Sequence, residues 1–348
     1  MEKNPFTLMY GMTTNSVIAR EEEISKIIKA FTYDENMLTY LITGIRGSGK
    51  TVLLKTIEKR LSLLSDWLIV NINPQGDICV SLANRLSSLD VLRRELSRWS
   101  VSINLGVITL ARESGEQITD PEIIIDMFLA IAKKLKMKVL VSIDEVNNTK
   151  EFRKFINLYQ ILIGKEYPLF LLMTALHENI SGLANNKGTT FLSRAPKIVL
   201  EPLDLPSVAL EYMKMLNVEK DKAIEMAKLT NGYAFAFQVL GYFYFESKEK
   251  ELNAGLIGQY QEYLWNNGYN KFWKDLAKAE RRFLIALSSS RTKEKSEIIG
   301  ADPGFKDSYS VYRARLMEKG LLFSPSYNKL DFVLPRFEEF VGFVKDFE

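Results

Sequence analysis

The sequence predicts an α/β fold in which a doubly wound parallel sheet is followed by helices and a final hairpin. Short apolar runs alternate with amphipathic segments over residues 38–200, a pattern typical of a parallel sheet covered on both faces through right-handed crossovers. From Pro206 the strand signals stop until residue 320. Because 348 residues exceed one compact core, we expect an α/β domain over residues 1–205, a helical domain over 206–268 and a C-terminal domain over 269–348.

The elements of the α/β domain follow from hydrophobic periodicity. Apolar residues at positions 24, 27, 28 and 31 mark one face of a helix that begins at Glu21. Asp120, Pro121 and Glu122 combine an N-cap, a first-turn proline and an early acid, which is typical of a helix start. The sequence predicts strands at 38–42, 67–73, 138–145, 169–174 and 197–200, further helices at 51–64, 77–92, 121–135, 150–163 and 177–183, and a strand or hairpin insertion within 93–118.

Helical periodicity continues beyond residue 205. It predicts helices at 206–216, 219–230, 233–248 and 253–267 in the helical domain, then helices at 276–287, 293–299 and 307–319 in the C-terminal domain. Two apolar segments, 320–323 and 330–334, flank a turn that contains Ser324 and Pro325. Three helices followed by a hairpin are the order of a winged helix-turn-helix.

A phosphate-binding pattern lies between the first predicted strand and the next helix. Residues 44–51 match G-x-x-x-x-G-K-[ST] in this strand-to-helix context, which disfavours a chance glycine turn. The glycines let N–H groups turn towards a polyphosphate at a helix N-terminus. Lys50 would reach the β- and γ-phosphates, and Thr51 would bind Mg²⁺. The predicted nucleotide-binding residues here are Gly44, Arg46, Gly47, Ser48, Gly49, Lys50, Thr51 and Val52.

Composition and charge narrow the class of protein. Hydrophobic residues at 47% and charged residues at 26% are typical of a globular chain. The net charge of +3 arises within residues 269–348, where 15 Lys and Arg face 12 Asp and Glu, a weak indication of an anionic partner. The single cysteine, Cys79, cannot form an internal disulfide, so we expect a cytoplasmic protein. No secretory signal or membrane-spanning run is visible, so we expect no membrane partner.

Two carboxylates end the apolar strand at 138–145. Asp144 comes 94 residues after Lys50 and is followed by Glu145. We expect this strand to be a parallel neighbour of the strand before the phosphate loop, so that both end at the same edge of the sheet. Asp144 would contact Mg²⁺ together with Thr51, and Glu145 would polarise the attacking water. The alternative is an acidic loop after a core strand.

These motifs resemble those of the AAA+ superfamily, specifically its initiator-like and STAND-type ATPases. The Walker A motif at 44–51 and the Walker B motif at 139–145 carry the resemblance, which the helical and winged-helix regions extend over nearly the whole chain. It implies a P-loop NTPase that binds ATP or ADP with Mg²⁺ between core and lid. It also implies ATP hydrolysis, a nucleotide-controlled switch and nucleotide-dependent self-association.

The resemblance assigns roles to further residues. A hydrophobic residue and an arginine before the first helix line the adenine pocket, which indicates Ile18 and Arg20, although Ala19 stands where a glycine is common. Thr174 would be the polar sensor residue, with a helix cap as the alternative. Arg194 would project an arginine finger, with a surface salt bridge as the alternative. Beside Asp144, we therefore expect the catalytic residues to be Lys50, Glu145, Thr174 and Arg194.

Two other positions differ from the patterns that would assign them a role. The STAND lid carries a Gly-x-Pro signature, whereas this chain reads Gly232, Tyr233, Ala234, which puts lid sensing through that proline position in doubt. His177 is the only histidine. One histidine cannot form a metal cluster, so a packed or capping role is favoured over catalysis.

The partner of the C-terminal domain stays open between DNA and protein. The helix at 307–319 would be the recognition helix, and Lys329 would lie on the wing. Val311, Leu316 and Met317 should face the core, which leaves few cations for phosphate contacts and favours a protein partner. The candidate contact residues are Ser308, Tyr309, Tyr312, Arg313 and Arg315.

Overall fold

The computed structural model describes residues 3–9, 20–34, 37–97, 101–104, 109–112, 117–177, 179 and 191–347. The chain divides into two compact units. The sheet unit contains Glu21–Thr43 and Lys50–Val199, and the helical unit contains Met1–Arg20, Gly44–Gly49 and Leu200–Glu348. The domain limits at 205 and 268 stay predictions.

A five-stranded sheet organises the sheet unit. Its strands are β1 (Thr39–Gly44), β2 (Trp67–Ile72), β6 (Lys138–Ile143), β7 (Leu169–Leu176) and β8 (Lys197–Val199). The strand order is β2-β6-β7-β1-β8, with parallel registers from β2 to β6, β6 to β7 and β1 to β8. The predicted α/β fold with a parallel sheet is confirmed. The predicted adjacency of β6 and β1 is wrong, because β7 lies between them.

Alternating side chains of these strands bury both faces of the sheet, as the two-residue period of a strand requires. On β6, Val139 and Val141 join a core formed with the helices of one face. On β7, the ring of Phe170 lies on the other face, 4.9 Å from the ring centroid of Trp67 and 5.3 Å from that of Phe31.

The helices of the sheet unit begin and end close to the predicted positions, with one exception. Asp120 caps its helix by accepting a hydrogen bond from the Glu122 N–H. The segment predicted as one helix over 77–92 forms two helices, because Leu89 has an extended backbone with φ −77° and ψ 113°. The helices are α1 (Glu21–Tyr33), α2 (Lys50–Ser62), α3 (Ile78–Ser88), α4 (Asp90–Ser97), α5 (Pro121–Lys134), α6 (Lys150–Gly164) and α7 (Phe191–Arg194).

The predicted insertion forms a small antiparallel sheet. It contains β3 (Val101–Asn104), β4 (Thr109–Arg112) and β5 (Gln117–Ile118), in the order β3-β4-β5. Cys79 on α3 is fully buried, and this burial raises the pKa of its thiol to about 11. The predicted helix at 177–183 lies mostly outside the described residues.

The helical unit contains one continuous hydrophobic core, which includes side chains from Phe6 to Val341. Its first four helices match the predicted ones, and α11 continues into a π-helical turn, Trp265–Tyr269. The helices are α8 (Leu205–Leu216), α9 (Lys220–Thr230), α10 (Ala234–Glu246), α11 (Ala254–Leu264), α12 (Asn270–Asp275), α13 (Lys278–Ser288), α14 (Lys295–Ala301), α15 (Tyr309–Glu318) and α16 (Phe337–Lys345).

The C-terminal elements follow the order predicted for a winged helix. Helices α13, α14 and α15 precede the antiparallel pair β9 (Leu322–Phe323) and β10 (Asp331–Phe332). Leu316 is fully buried as expected, but Val311 is 49% exposed, so the prediction that Val311 faces the core is wrong. Helices α7, α12 and α16 were not predicted. None of the helices that the structure describes combines the length and the apolar character needed to cross a bilayer.

Candidate functional site

The phosphate loop uses its glycines for two different reasons. Gly47 and Gly49 have φ of +76° and +94°, which side chains other than glycine rarely adopt. Gly44 is needed for space instead, since an added Cβ would lie 2.6 Å from the Ser48 Oγ and 3.2 Å from the Leu200 Cβ. Of the three glycines in the predicted phosphate-binding pattern, Gly47 and Gly49 therefore supply unusual dihedral angles, and Gly44 supplies space.

Ser48 carries a buried hydroxyl within this loop. The residue is 6% exposed, and its Oγ has no hydrogen-bond partner within the described part of the chain. A buried polar atom without a partner is uncommon in a folded protein and calls for an explanation. A polyphosphate oxygen would supply the missing partner, so the loop fits the predicted ligand.

Helix α2 begins at Lys50, directly after the loop, as the pattern predicts. The Lys50 side chain is 5% exposed, and Thr51 and Val52 are half-buried. A lysine is seldom buried unless it is paired. In the chain order, the end of the glycine-rich segment is also the start of helix α2, and a helix N-terminus after such a segment is the arrangement that binds anions.

Three side chains of the sheet unit form a hydrogen-bonded chain. The Thr51 hydroxyl donates to Asp144 Oδ2 at 2.7 Å, and the Thr174 hydroxyl donates to Asp144 Oδ1 at 2.5 Å. Thr174 is fully buried on β7, so it does not cap a helix. The structure thus brings together the predicted metal ligands, Thr51 and Asp144, and the predicted sensor residue.

Glu145 lies beside this chain in an unusual backbone conformation. Its side chain is exposed, its φ is +56°, and its N–H donates to the Thr174 Oγ1 at 2.8 Å. The next N–H, of Val146, donates to the Thr174 carbonyl at 2.8 Å. A positive φ in a non-glycine residue stores strain that the surrounding bonds must hold, and such residues are frequent at functional sites.

The only histidine contacts the strand before the phosphate loop. The His177 Nδ1 lies 3.0 Å from the Thr43 Oγ1, and Thr43 is buried at 1% exposure. This contact fits the packed role predicted for His177. Thr43 itself was not predicted, although its place directly before Gly44 was the available signal.

Three predicted site residues remain: Ile18, Arg20 and Arg194. Ile18 lies outside the described residues. Arg20 is 8% exposed, and its guanidinium donates to the Glu201 carbonyl within the helical unit. Arg194 is exposed at the end of α7, just before β8. Their predicted roles in adenine binding and as an arginine finger stay predictions.

The phosphate loop is joined to helix α10 within the helical unit. The Tyr233 hydroxyl donates to the Arg46 carbonyl at 3.0 Å, and the Phe235 N–H donates to the Gly47 carbonyl at 3.1 Å. The sequence did not predict this connection. The only signal for it was that Tyr233 lies within the Gly-x-Pro-like segment.

The side chains of the candidate site fit Mg²⁺ better than they fit a metal ion that is coordinated by protein groups alone. Across the described ranges, no cluster of three or more His, Cys, Asp or Glu is placed to hold a metal ion. Mg²⁺ does not require such a cluster, because it binds one or two protein oxygens together with phosphate and water. The Thr51 hydroxyl and the Asp144 carboxylate, already within hydrogen-bond distance, are such a pair.

In the C-terminal region, several cations are paired with acids of the same region. Arg282 forms a bidentate pair with Asp302, and the Lys319 Nζ lies 2.8 Å from the nearly buried Glu280. Lys293 contacts both Asp331 and Glu338. Burial alone would lower the pKa of Lys293, but the hydrogen bonds to these two acids, together with their negative charges, outweigh burial and raise the pKa above its ordinary value.

Known protein structures resemble the fold of this chain, and a family model matches one region of its sequence. A family model described as "Domain of unknown function (DUF8462)" matches residues 266–341. No curated protein matches the chain. The chain is similar to the ORC2 protein of Aeropyrum pernix solved as ADPNP-ADP complexes, with a TM-score of 0.63, 14% identity, and coverage of 97% of this chain and 96% of that chain.

The ADP form of the same ORC2 protein gives a TM-score of 0.55 at 15% identity, with coverage of 97% of this chain and 96% of that chain. At such identities the likeness concerns the fold. The chain has the fold of these ORC2 structures, in which a parallel sheet is followed by helices, and the α/β fold class predicted from the sequence is confirmed.

Proposed function

We propose that this protein binds ATP with Mg²⁺ through residues 44–51 and Asp144, and hydrolyses it slowly as a nucleotide-controlled switch. The observation that carries the proposal is the hydrogen-bonded chain from Thr51 through Asp144 to Thr174. This chain joins the Walker A threonine to the Walker B carboxylate, and a structural acidic loop has no need of such a link. The ORC2 structures, solved with ADPNP and ADP, support the choice of nucleotide.

In this proposal each side chain has one role. Lys50 and the N–H groups of residues 44–49 bind the phosphates, and Ser48 satisfies its buried hydroxyl on them. Thr51 and Asp144 hold Mg²⁺, which neutralises charge on the phosphate oxygens when it is bound. Ile18 and Arg20 line the adenine pocket.

Hydrolysis needs a group that orients water and a group that stabilises negative charge. Glu145 is exposed, so its carboxylate is available to orient the attacking water. Thr174 fixes Glu145 and Asp144 relative to each other, and Arg194 acts as the arginine finger, which makes nucleotide-dependent self-association part of the proposal. The single buried cysteine favours the cytoplasm.

The output of the switch, in our proposal, is a protein partner bound by the C-terminal region, as in STAND-type proteins. The pairing of Arg282, Lys293 and Lys319 with acids of the same region reduces the cations available to phosphates. Apolar side chains are exposed in the same region, with Val311 49% and Phe323 42% exposed. Exposed apolar groups favour contact with protein over contact with a nucleic-acid backbone.

The second candidate is an ATP-dependent DNA-binding protein of the replication-initiator or transposition-helper type. Its support is the overall likeness to the ORC2 fold, together with the exposed Arg315 on α15. The two candidates share the nucleotide site and differ in the ligand of the C-terminal region. A gel-shift titration with duplex DNA at increasing salt separates them.

The binding proposal is tested by Lys50→Ala, with Lys59→Ala as control because Lys59 is exposed on the same helix. We expect Lys50→Ala to abolish binding in a titration with fluorescent ATP and Mg²⁺, and Lys59→Ala to bind as the wild type does. Unchanged affinity in Lys50→Ala would remove the assignment of the phosphate loop.

The hydrolysis proposal is tested by Glu145→Gln, which keeps the size of the side chain and removes its charge. We expect this variant to retain ATP while phosphate release slows by roughly 100-fold or more, the range of a lost general base. Phosphate release at the wild-type rate would exclude Glu145 from the catalytic role.

A further inference from the structure

The phosphate loop is held by the segment that begins helix α10, and both bonds use loop carbonyls. The Arg46 carbonyl accepts from the Tyr233 hydroxyl, and the Gly47 carbonyl accepts from the Phe235 N–H. Tyr233 is only 5% exposed, so its hydroxyl bond is shielded from water. These contacts all lie within the helical unit.

Holding a carbonyl also fixes the N–H of the same peptide unit. A trans peptide is planar, and its C=O and N–H point in opposite directions. The bond to the Arg46 carbonyl therefore sets the direction of the Gly47 N–H, and the bond to the Gly47 carbonyl sets that of the Ser48 N–H, which makes a long 3.3 Å bond to the Ile45 carbonyl. The Gly47 N–H is therefore directed away from the Tyr233 hydroxyl, and the Ser48 N–H away from the Phe235 N–H.

The fit between the two segments is close. A Cβ added to Gly47 would lie 2.3 Å from the Tyr233 Oη and 2.8 Å from its Cζ, so a larger residue at position 47 could not coexist with the tyrosine in this position. Gly47 is thus required both for its positive φ and for the approach of Tyr233.

We propose that Tyr233 is a positioning residue for the nucleotide. Its hydroxyl holds the phosphate loop in a conformation in which the N–H groups of the loop can bind a nucleotide polyphosphate, and it couples nucleotide occupancy to helix α10. The proposal rests on the proposed ATP binding. Preorganised N–H groups strengthen anion binding because the loop need not reorganise when the ligand arrives. By linkage, a nucleotide that binds better with these bonds in place must in turn stabilise them.

The test compares Tyr233→Phe with Tyr244→Phe in the full chain. Tyr244 is a matched control, since it is 2% exposed on α10 and its hydroxyl donates to the Lys250 carbonyl at 2.6 Å, away from the loop. Each variant loses one hydroxyl-to-carbonyl bond. We expect Tyr233→Phe to weaken fluorescent ADP and ATP roughly three- to tenfold through faster release, the range of one such bond, and Tyr244→Phe to bind within about twofold of the wild type.

Hydrogen exchange gives a second readout that a purely structural role would not move. In the wild type, ADP with Mg²⁺ should slow exchange of the Phe235 N–H, because that N–H bonds to the loop. In Tyr233→Phe, this nucleotide-dependent protection should be reduced.

Three results would each overturn the positioning role while leaving ATP binding intact. They are equal nucleotide affinity of the two variants, tighter nucleotide binding by Tyr233→Phe, and a rate of exchange of the Phe235 N–H that does not change when nucleotide is added. Wild-type protein that binds neither nucleotide would overturn the proposed function and this inference together.

Discussion

Thr174 fixes the turn that carries the two acidic residues of the candidate site. Its hydroxyl donates to Asp144 and accepts from the Glu145 N–H, and its carbonyl accepts from the Val146 N–H. This set of bonds spans three consecutive residues and stabilises the positive φ of Glu145. A single buried residue on β7 therefore fixes the backbone from which the Asp144 and Glu145 side chains extend.

We predict that Thr174→Val lowers ATP turnover by about 10- to 100-fold, since small displacements of catalytic groups have effects of that size. It should also lower the free energy of unfolding by about 1 kcal/mol, the contribution of a buried hydrogen bond. Steady-state phosphate release and chemical denaturation measure the two effects. Thr174→Ser is the control, because it keeps the hydroxyl, and it should retain most of the turnover. Wild-type turnover in Thr174→Val would contradict the role.

The sequence predicted the site residues that belong to contiguous motifs and missed those that depend on tertiary contacts. The phosphate loop and Asp144 follow from local patterns with a fixed spacing. The bonds from Tyr233 and Phe235 join positions almost 190 residues apart, at Arg46 and Gly47, and no local pattern contains such a pairing. Likewise, the left-handed backbone of Glu145 lies in a turn that hydrogen bonds to Thr174 on β7 stabilise, and no local pattern contains these bonds.

At the scale of elements, helix α10 carries a glycine that its neighbours explain. Gly241 lies inside the helix, where glycine lowers stability by about 1 kcal/mol relative to alanine. An added Cβ would lie 2.3 Å from the Phe6 ring, which is 3% exposed and packs against Tyr212 and Phe237. The glycine therefore makes room for the N-terminal segment 3–9 on α10.

We predict that Gly241→Ala releases this segment and lowers the free energy of unfolding by about 1–3 kcal/mol, because lost burial of Phe6 exceeds the gain in helix propensity. Gly258→Ala is the matched control, since Gly258 is an exposed helical glycine with no atom within 4 Å of an added Cβ. It should stabilise by about 0.5–1 kcal/mol. Urea unfolding measures both, and exchange of the Thr7 N–H, which bonds to Gln238, reports release. Equal stabilisation by both substitutions would disprove the packing argument.

Element types were predictable along most of the chain, whereas strand order and helix breaks were not. Periodicity predicts a strand or helix from its own residues. The place of β7 between β6 and β1 is set by tertiary packing, which a local period does not contain. The break at Leu89 was not predictable from the local pattern either, because apolar residues continue on both sides of it.

At the scale of the whole molecule, the distribution of charge decides what the C-terminal region can bind. The sequence places the excess of cations in residues 269–348, and the structure pairs four of them with acids of the same region: Arg282, Lys293, Lys319 and Arg336. A paired cation contributes less to an attraction for phosphates than an unpaired one. Most of this pairing was invisible in the sequence, because the partners of Arg282, Lys293 and Lys319 lie 20 to 45 residues away, and only Arg336 and Glu339 are close in sequence.

From the proposed role of the C-terminal region in binding a protein partner, we predict that duplex DNA neither binds tightly to this chain nor stimulates the proposed ATPase activity. The measurement is a gel-shift titration at increasing salt, with phosphate release followed with and without DNA. DNA binding would instead appear as an affinity that falls with salt, with a logarithmic slope of about −0.9 per phosphate contact. Arg315→Ala and Arg282→Ala form a matched pair, since Arg315 is exposed on α15 and Arg282 is already bidentate on Asp302. A steep salt dependence that Arg315→Ala reduces and Arg282→Ala leaves unchanged would replace the protein partner with DNA.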